Sequence, residues 1–269
     1  VYSLEENSYR QMIFHQTLKR IAEHNSRANS SYQLGLNQFS AMLKINFEAA
    51  SVSCAFPTTT NGKESIIAAI PTADIDWQAK GVVSPVKNQG ACSASYAFST
   101  IGAIEGSYSI AFKNTDSTQY SRLSTALTDS VTMVATPGAL HEFRVRPLTG
   151  INTANAYPYH GKEEACLIYL GKLKIKAHVS QTGCTALANS LSKTPVAAFV
   201  SATNWKDYRS GIYTDCDQNV NAAVLVTGMT DAYWRAKNSW GVSWGENGYI
   251  RISRSSDCGI CKQTAYAEL

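Results

Sequence analysis

The 269-residue chain is long enough for one or two domains and a sizeable core. Its formal net charge of +4 is mild and comes without a Lys/Arg block, so nothing points to nucleic acid. No apolar run is long enough to span a membrane, and a composition of 44% hydrophobic and 16% charged residues is ordinary for a globular protein. Near the start, Ile13, Phe14, Leu18 and Ile21 recur at helical spacing and predict an amphipathic helix. Glu5 and Glu6 near its beginning and Lys19 and Arg20 further along suit the helix dipole. The chain opens on Val1, as it would after removal of a signal peptide or in a shortened chain. Asn29-Ser30-Ser31 is a lone glycosylation sequon. Residues 51 to 70, with Pro57-Thr58-Thr59-Thr60-Asn61-Gly62, have the composition of a loop.

From Ser95 onward, Ala97, Phe98, Ile101 and Ile104 again recur at helical spacing, with Gly106 near the expected end of that helix. Val196 to Val200, Ala222 to Val226 and Tyr249 to Ile252 read as strands. The seven cysteines are Cys54, Cys92, Cys166, Cys184, Cys216, Cys258 and Cys261, and an odd count leaves at least one thiol unpaired within a single chain. Cys258-Gly259-Ile260-Cys261 has the spacing of a metal or redox motif. No second Cys/His pair completes a zinc set nearby, so neither a metal nor a cofactor is expected.

Several stretches together resemble the papain-like cysteine proteases, cathepsin L-like members in particular. Gln89-Gly90-Ala91-Cys92-Ser93-Ala94-Ser95-Tyr96-Ala97-Phe98-Ser99 lies on the family's active-site segment, with Ser95 at the position of the cysteine nucleophile. Val220-Asn221-Ala222-Ala223-Val224 lies on the segment of the catalytic histidine, and Ala222 takes its place. Tyr233 to Gly241 and Trp244 to Ile250 match closely. Asn238 falls where the family's asparagine orients the histidine, Trp240 where a tryptophan shields that contact, and Gln89 where a side chain builds the oxyanion hole. Taken alone, Asn238 and Trp240 would be ordinary turn and core residues. Upstream, Glu6, Arg10, Phe14, Ile21 and Asn25 fall on the spaced positions of the family's inhibitory propeptide, with Thr17 where asparagine is usual. Gly35, Asn37 and Phe39 resemble the second propeptide motif, and Pro71 to Trp77 the start of a mature enzyme.

The resemblance implies an α+β, papain-like fold of two lobes with a cleft between them. Residues 1–70 would form a helical prosegment and 71–269 the peptidase domain, with a helical lobe over about 71–180 and an antiparallel, barrel-like sheet lobe over about 181–269. It implies a disulfide between Cys216 and Cys258. Cys92 and Cys166 match one end each of two others whose partners are missing, since Ser130 stands at a cysteine position and the Gly-Cys-x-Gly-Gly loop is absent. The pairing of Cys54, Cys184 and Cys261 stays open. A secreted, lysosomal or vacuolar location follows from the family. A hydroxyl needs an adjacent base to become a nucleophile, and alanine is none. His15, His24, His141, His160 and His178 all lie outside the motif positions. The expectation is therefore a catalytically inactive homologue with a structural or binding role, its prosegment retained, with a protein partner or self-assembly as the available outlets. The alternatives are a serine-nucleophile hydrolase like the silicateins, which the Ala94 to Ser99 run resembles, and an active cysteine peptidase.

Overall fold

The computed structural model describes residues 3–51, 74–112, 159–161 and 175–269. Helix α1 (Leu4–Asn25) starts where the Ser3 hydroxyl accepts the Glu6 amide at 3.1 Å, and Glu5 and Glu6 occupy its first turn. Its buried face differs from the expected apolar stripe. Ile13, Thr17 and His24 are buried and Phe14 and Ile21 half-buried, whereas Leu18 is 38% exposed. The polar His24 is accommodated because its Nε2 meets the Tyr32 carbonyl at 3.1 Å and its ring lies 4.4 Å from that of Tyr32. Asn25 then does the work of a neighbouring strand: its Nδ2 donates to the Leu34 carbonyl and its Oδ1 accepts the Leu34 amide, both at 2.9 Å.

Strand β1 (Tyr32–Leu34), thus held, pairs antiparallel with β5 (Tyr208–Tyr213), Tyr32 opposite Gly211. Helix α2 (Lys44–Ser51) follows and buries Phe47 completely. After β2 (Ile75–Asp76) comes helix α3 (Ser95–Ala111), buried on almost every side, with Ser95, Ser99, Thr100, Glu105, Ser107 and Ser109 buried beside its apolar residues. It runs past Gly106 rather than ending there. A Cβ at Gly106 would come within 2.7 Å of Pro195, and one at Gly102 within 2.7 Å of Leu225, so both glycines let α3 approach the sheet closely. The sheet is completed by β3 (Ala177–Gln181), β4 (Val196–Val200), β6 (Ala222–Met229), β7 (Tyr233–Lys237), β8 (Tyr249–Ser253) and β9 (Thr264–Glu268), with helix α4 (Cys184–Leu191) on the core. Strands run in the order β1-β5-β8-β7-β6-β4-β9-β3, with β2 paired to β6. The pairing is antiparallel except for β5 with β8, which is parallel.

The larger of two core clusters among the described residues is aromatic-rich; the smaller packs Ala103 of α3 against Ala197, Phe199, Ala223, Leu225 and Ala265. In the larger, Trp205, Trp234, Trp240, Trp244, Tyr208 and Tyr213 are fully buried, and Phe39 and Phe47 from the N-terminal segment pack into the same cluster. This is the α+β architecture of a sheet with helices packed against it, and the N-terminal segment contributes a strand to that sheet. The loop expected over 51–70 lies, apart from Ser51, outside the described residues. So do Cys54, Cys166, His141 and the 123–134 stretch.

Candidate active site

Ser95 is the first residue of α3 and is 2% exposed. Ala94 precedes it and offers no side-chain cap, so the helix begins without a side-chain acceptor for its first amides. Ala222 opens β6 opposite Val200 and is also buried. The Ser95 Oγ accepts the amide of Ala223 at 3.1 Å, which joins the start of α3 to the start of β6. The starts of α3 and β6 are thus neighbours, and there Ser95 offers a hydroxyl and Ala222 a methyl group.

Asn238 follows β7 and is 4% exposed. Its Oδ1 accepts the Ser239 amide at 2.8 Å, while its Nδ2 is buried and has no hydrogen-bond partner among the described residues. An unsatisfied buried amide is costly and rare. Trp240 is buried nearby and forms an isolated bridge with Asn88, and the segment is further fastened by the Gln89 amide donating to the Ser239 carbonyl at 2.8 Å. Gln89 is fully buried. Its Nε2 donates to the Cys92 carbonyl at 2.8 Å, and its Oε1 accepts the Ser239 hydroxyl at 2.5 Å. The Tyr159 hydroxyl donates to the Gln89 carbonyl at 2.8 Å, and burial, reinforced by contact with Cys92, pushes its phenol up. The structure therefore brings Ser95, Ala222, Gln89, Asn238 and Trp240 into one region.

Sequence reasoning missed a charged cluster beneath this region. Glu105 on α3 is 2% exposed; its Oε2 accepts the Ser84 hydroxyl at 2.5 Å and its Oε1 the Lys87 amine at 3.0 Å. Lys237 donates to the Ser84 carbonyl at 2.7 Å, and burial pulls its amine down to about 7. A cavity of about 20 Å³, room for roughly one water, separates Glu105 and Lys237 from Ala223 and Asn238. No periodicity marks these residues: Lys237 stands next to Asn238, Lys87 two positions from Gln89 and Glu105 ten from Ser95, but nothing local shows that they meet. The Lys237 amine is engaged with Ser84. Of the histidines, His15, His160 and His178 are exposed, and His24 belongs to the contact between α1 and β1.

Cys216 and Cys258 are joined in a disulfide. A second one joins Cys184 and Cys261, a pairing the sequence left open, and it assigns both cysteines of the Cys-x-x-Cys run to separate bridges. Cys184, Asp257 and Cys261 form the one His/Cys/Asp/Glu group close enough for a metal among the described residues. With both sulfurs bonded to each other, only a carboxylate is left to offer. Cys92 is the free cysteine among the described residues.

Residues 71–268 match the papain family cysteine protease family, and residues 1–47 match the cathepsin propeptide inhibitor domain. The chain is 34% identical to papain of Carica papaya over 96% of its own length and 79% of that protein. It is 34% identical to a cathepsin L-like proteinase of Phaedon cochleariae, over 98% of this chain and 88% of that one. Among solved structures, a recombinant stem bromelain precursor superposes with a TM-score of 0.86 at 28% identity, covering 100% of this chain and 94% of that one. Digestive procathepsin L2 from Tenebrio molitor larval midgut gives 0.83 at 29% identity, covering 100% and 95%. By sequence and by fold the chain belongs to the papain family of cysteine proteases, with a cathepsin-type propeptide domain at its N-terminal end.

Proposed function

We propose that this protein is a catalytically inactive member of the family, and that it keeps its prosegment as a permanent part of the fold. The observation that carries the reading is Ala222 beside Ser95. A serine hydroxyl at neutral pH needs a base within hydrogen-bond reach. The neighbour offered to Ser95 is instead a peptide N–H, which donates to its oxygen and cannot take its proton.

Retention of residues 1–70 as a prosegment on the 71–269 domain is supported by how β1 and α2 are anchored. Asn37 Nδ2 donates to the Lys206 carbonyl at 2.8 Å, and Gln38 Nε2 to the Trp240 carbonyl at 2.6 Å. Phe39 and Phe47 bury their rings against Trp240. Each such side chain contributes roughly 1.5–3 kcal/mol by burial, all of it lost if the segment leaves. On this reading a protein partner, or a second copy, binds the outer surface. The two disulfides fit a secreted, lysosomal or vacuolar location. N-terminal sequencing of protein taken from its natural source tests retention: the dominant species begins before α1. One that begins near Asp74 would mean the prosegment is removed. Labelling of Ser95 by a serine-directed activity probe would favour the silicatein-like alternative.

A further inference from the structure

We propose that Asn29 is an N-linked glycan acceptor, and that its glycan lies across the seam between the prosegment and the sheet. Asn29-Ser30-Ser31 is the one such triplet in the chain. Asn29 sits in the turn between α1 and β1, where it is exposed, and its side chain makes no hydrogen bond among the described residues. Asparagine usually earns a turn position by bonding nearby backbone. This turn is held by other groups: the Arg27 amide donates to the His24 carbonyl at 3.2 Å, the Ser30 amide to the Arg27 carbonyl at 3.3 Å, and the Ser30 hydroxyl to the Tyr32 carbonyl at 2.6 Å. The Asn29 amide is left accessible and structurally idle. The two disulfides are an independent observation, since they are the kind of bond formed in an oxidising compartment where such triplets are modified.

Space for the sugar is present. Asn29 lines a cavity of about 1030 Å³ together with Thr17 and Arg20 of α1 and with Asn204 and Asp215. The donor is an oligosaccharide carried on a lipid diphosphate. The Asn29 Nδ2 forms a bond to the anomeric carbon and loses one proton to the transferase's base. The bond from that carbon to the diphosphate oxygen breaks, and the lipid diphosphate leaves with the electron pair. There the glycan shields the chain around Arg27 from proteases; this second effect rests on the prosegment being retained.

The test is the full chain expressed through a eukaryotic secretory pathway. Intact mass of wild type and of Ser31→Thr, which keeps the triplet and the hydroxyl that meets Thr214 at 3.1 Å, is expected to exceed the polypeptide mass by one oligosaccharide. An endoglycosidase removes the excess, and Asn29→Gln lacks it while melting at the same temperature. Secreted wild type carrying both disulfides but no added mass overturns the site. For the shield, trypsin cleavage after Arg27 is expected to be several-fold faster in Asn29→Gln; equal rates overturn it. Neither readout depends on peptidase activity, so failure here is distinct from failure of the inactive reading.

Discussion

Replacing Phe47 by alanine asks whether the N-terminal segment is a lodger or a member of the core. The ring is fully buried, 5.1 Å from that of Phe39 and 5.1 Å from that of Trp240, edge-on to both. Trp240 in turn lies 4.9 Å from Trp244. Removing a phenylalanine from such a site costs about 3–5 kcal/mol when the surroundings cannot close the void, and here Trp240 is held by its bridge to Asn88 and Trp244 by its Nε1 bond to the Trp205 carbonyl. For a urea dependence near 3 kcal/mol/M, the midpoint of unfolding falls by about 1–1.7 M. The assay is urea unfolding of the full chain, followed by tryptophan fluorescence for the cluster and by far-UV circular dichroism for the whole. Both probes are expected to move together. A fluorescence change that precedes the circular dichroism transition in wild type, with the main midpoint unmoved in Phe47→Ala, would refute the claim that the segment is part of one cooperative unit.

Further outcomes follow from the buried charges and the bridges. The Lys237 amine is lowered to about 7 by burial, whereas the unfolded chain keeps an ordinary lysine. Between those values the unfolded state binds more protons, so the stability of wild type relative to Lys237→Met rises as pH increases from about 7 to 9. Thermal midpoints across that range measure it, and a difference that falls or stays flat contradicts the assignment. The Cys184–Cys261 bridge spans 77 residues and encloses the Cys216–Cys258 bridge; losing it through a Cys184→Ser, Cys261→Ser pair is expected to cost about 4 kcal/mol in urea unfolding. Removing the Asn37 side chain strips the Lys206 carbonyl and the Phe39 amide of their partners, and Asn37→Ala is expected to lose about 1–3 kcal/mol by the same measurement.

The parts of the fold legible in the sequence were those that fixed spacing encodes. Ala97, Ile101 and Ile104 marked the buried helix, and the β4, β6 and β8 strands fell where apolar runs stood. Periodicity found α1 and the burial of Ile13, Phe14 and Ile21, but misjudged the rest of its face because it weighs hydrophobicity and not hydrogen bonding. Thr17 and His24 are buried there, His24 with its ring nitrogen satisfied by a strand carbonyl, while the apolar Leu18 faces outward. The end of α3 was misplaced because Gly106 looks like a stop signal, when it is a point of close approach to Pro195. The Cys184–Cys261 bridge was illegible because nothing local ties residues 77 apart. The cluster of Glu105, Lys87, Lys237 and Ser84 was likewise assembled from three separate segments, so only the folded chain shows that the charges meet. At the candidate site the residue types at 95 and 222 could be read directly. The bond from the Ala223 amide to Ser95 and the orphaned Asn238 amide could not.

The central claim is tested most directly by turnover of ordinary cathepsin peptide substrates at acid and neutral pH, with the purified chain before and after its prosegment is cut away. Inactivity arising from Ser95 and Ala222 predicts no hydrolysis above the Ser95→Ala control in either form, and little recovery in Ser95→Cys alone, since the base is still missing. Hydrolysis by wild type that disappears in Ser95→Ala would contradict it.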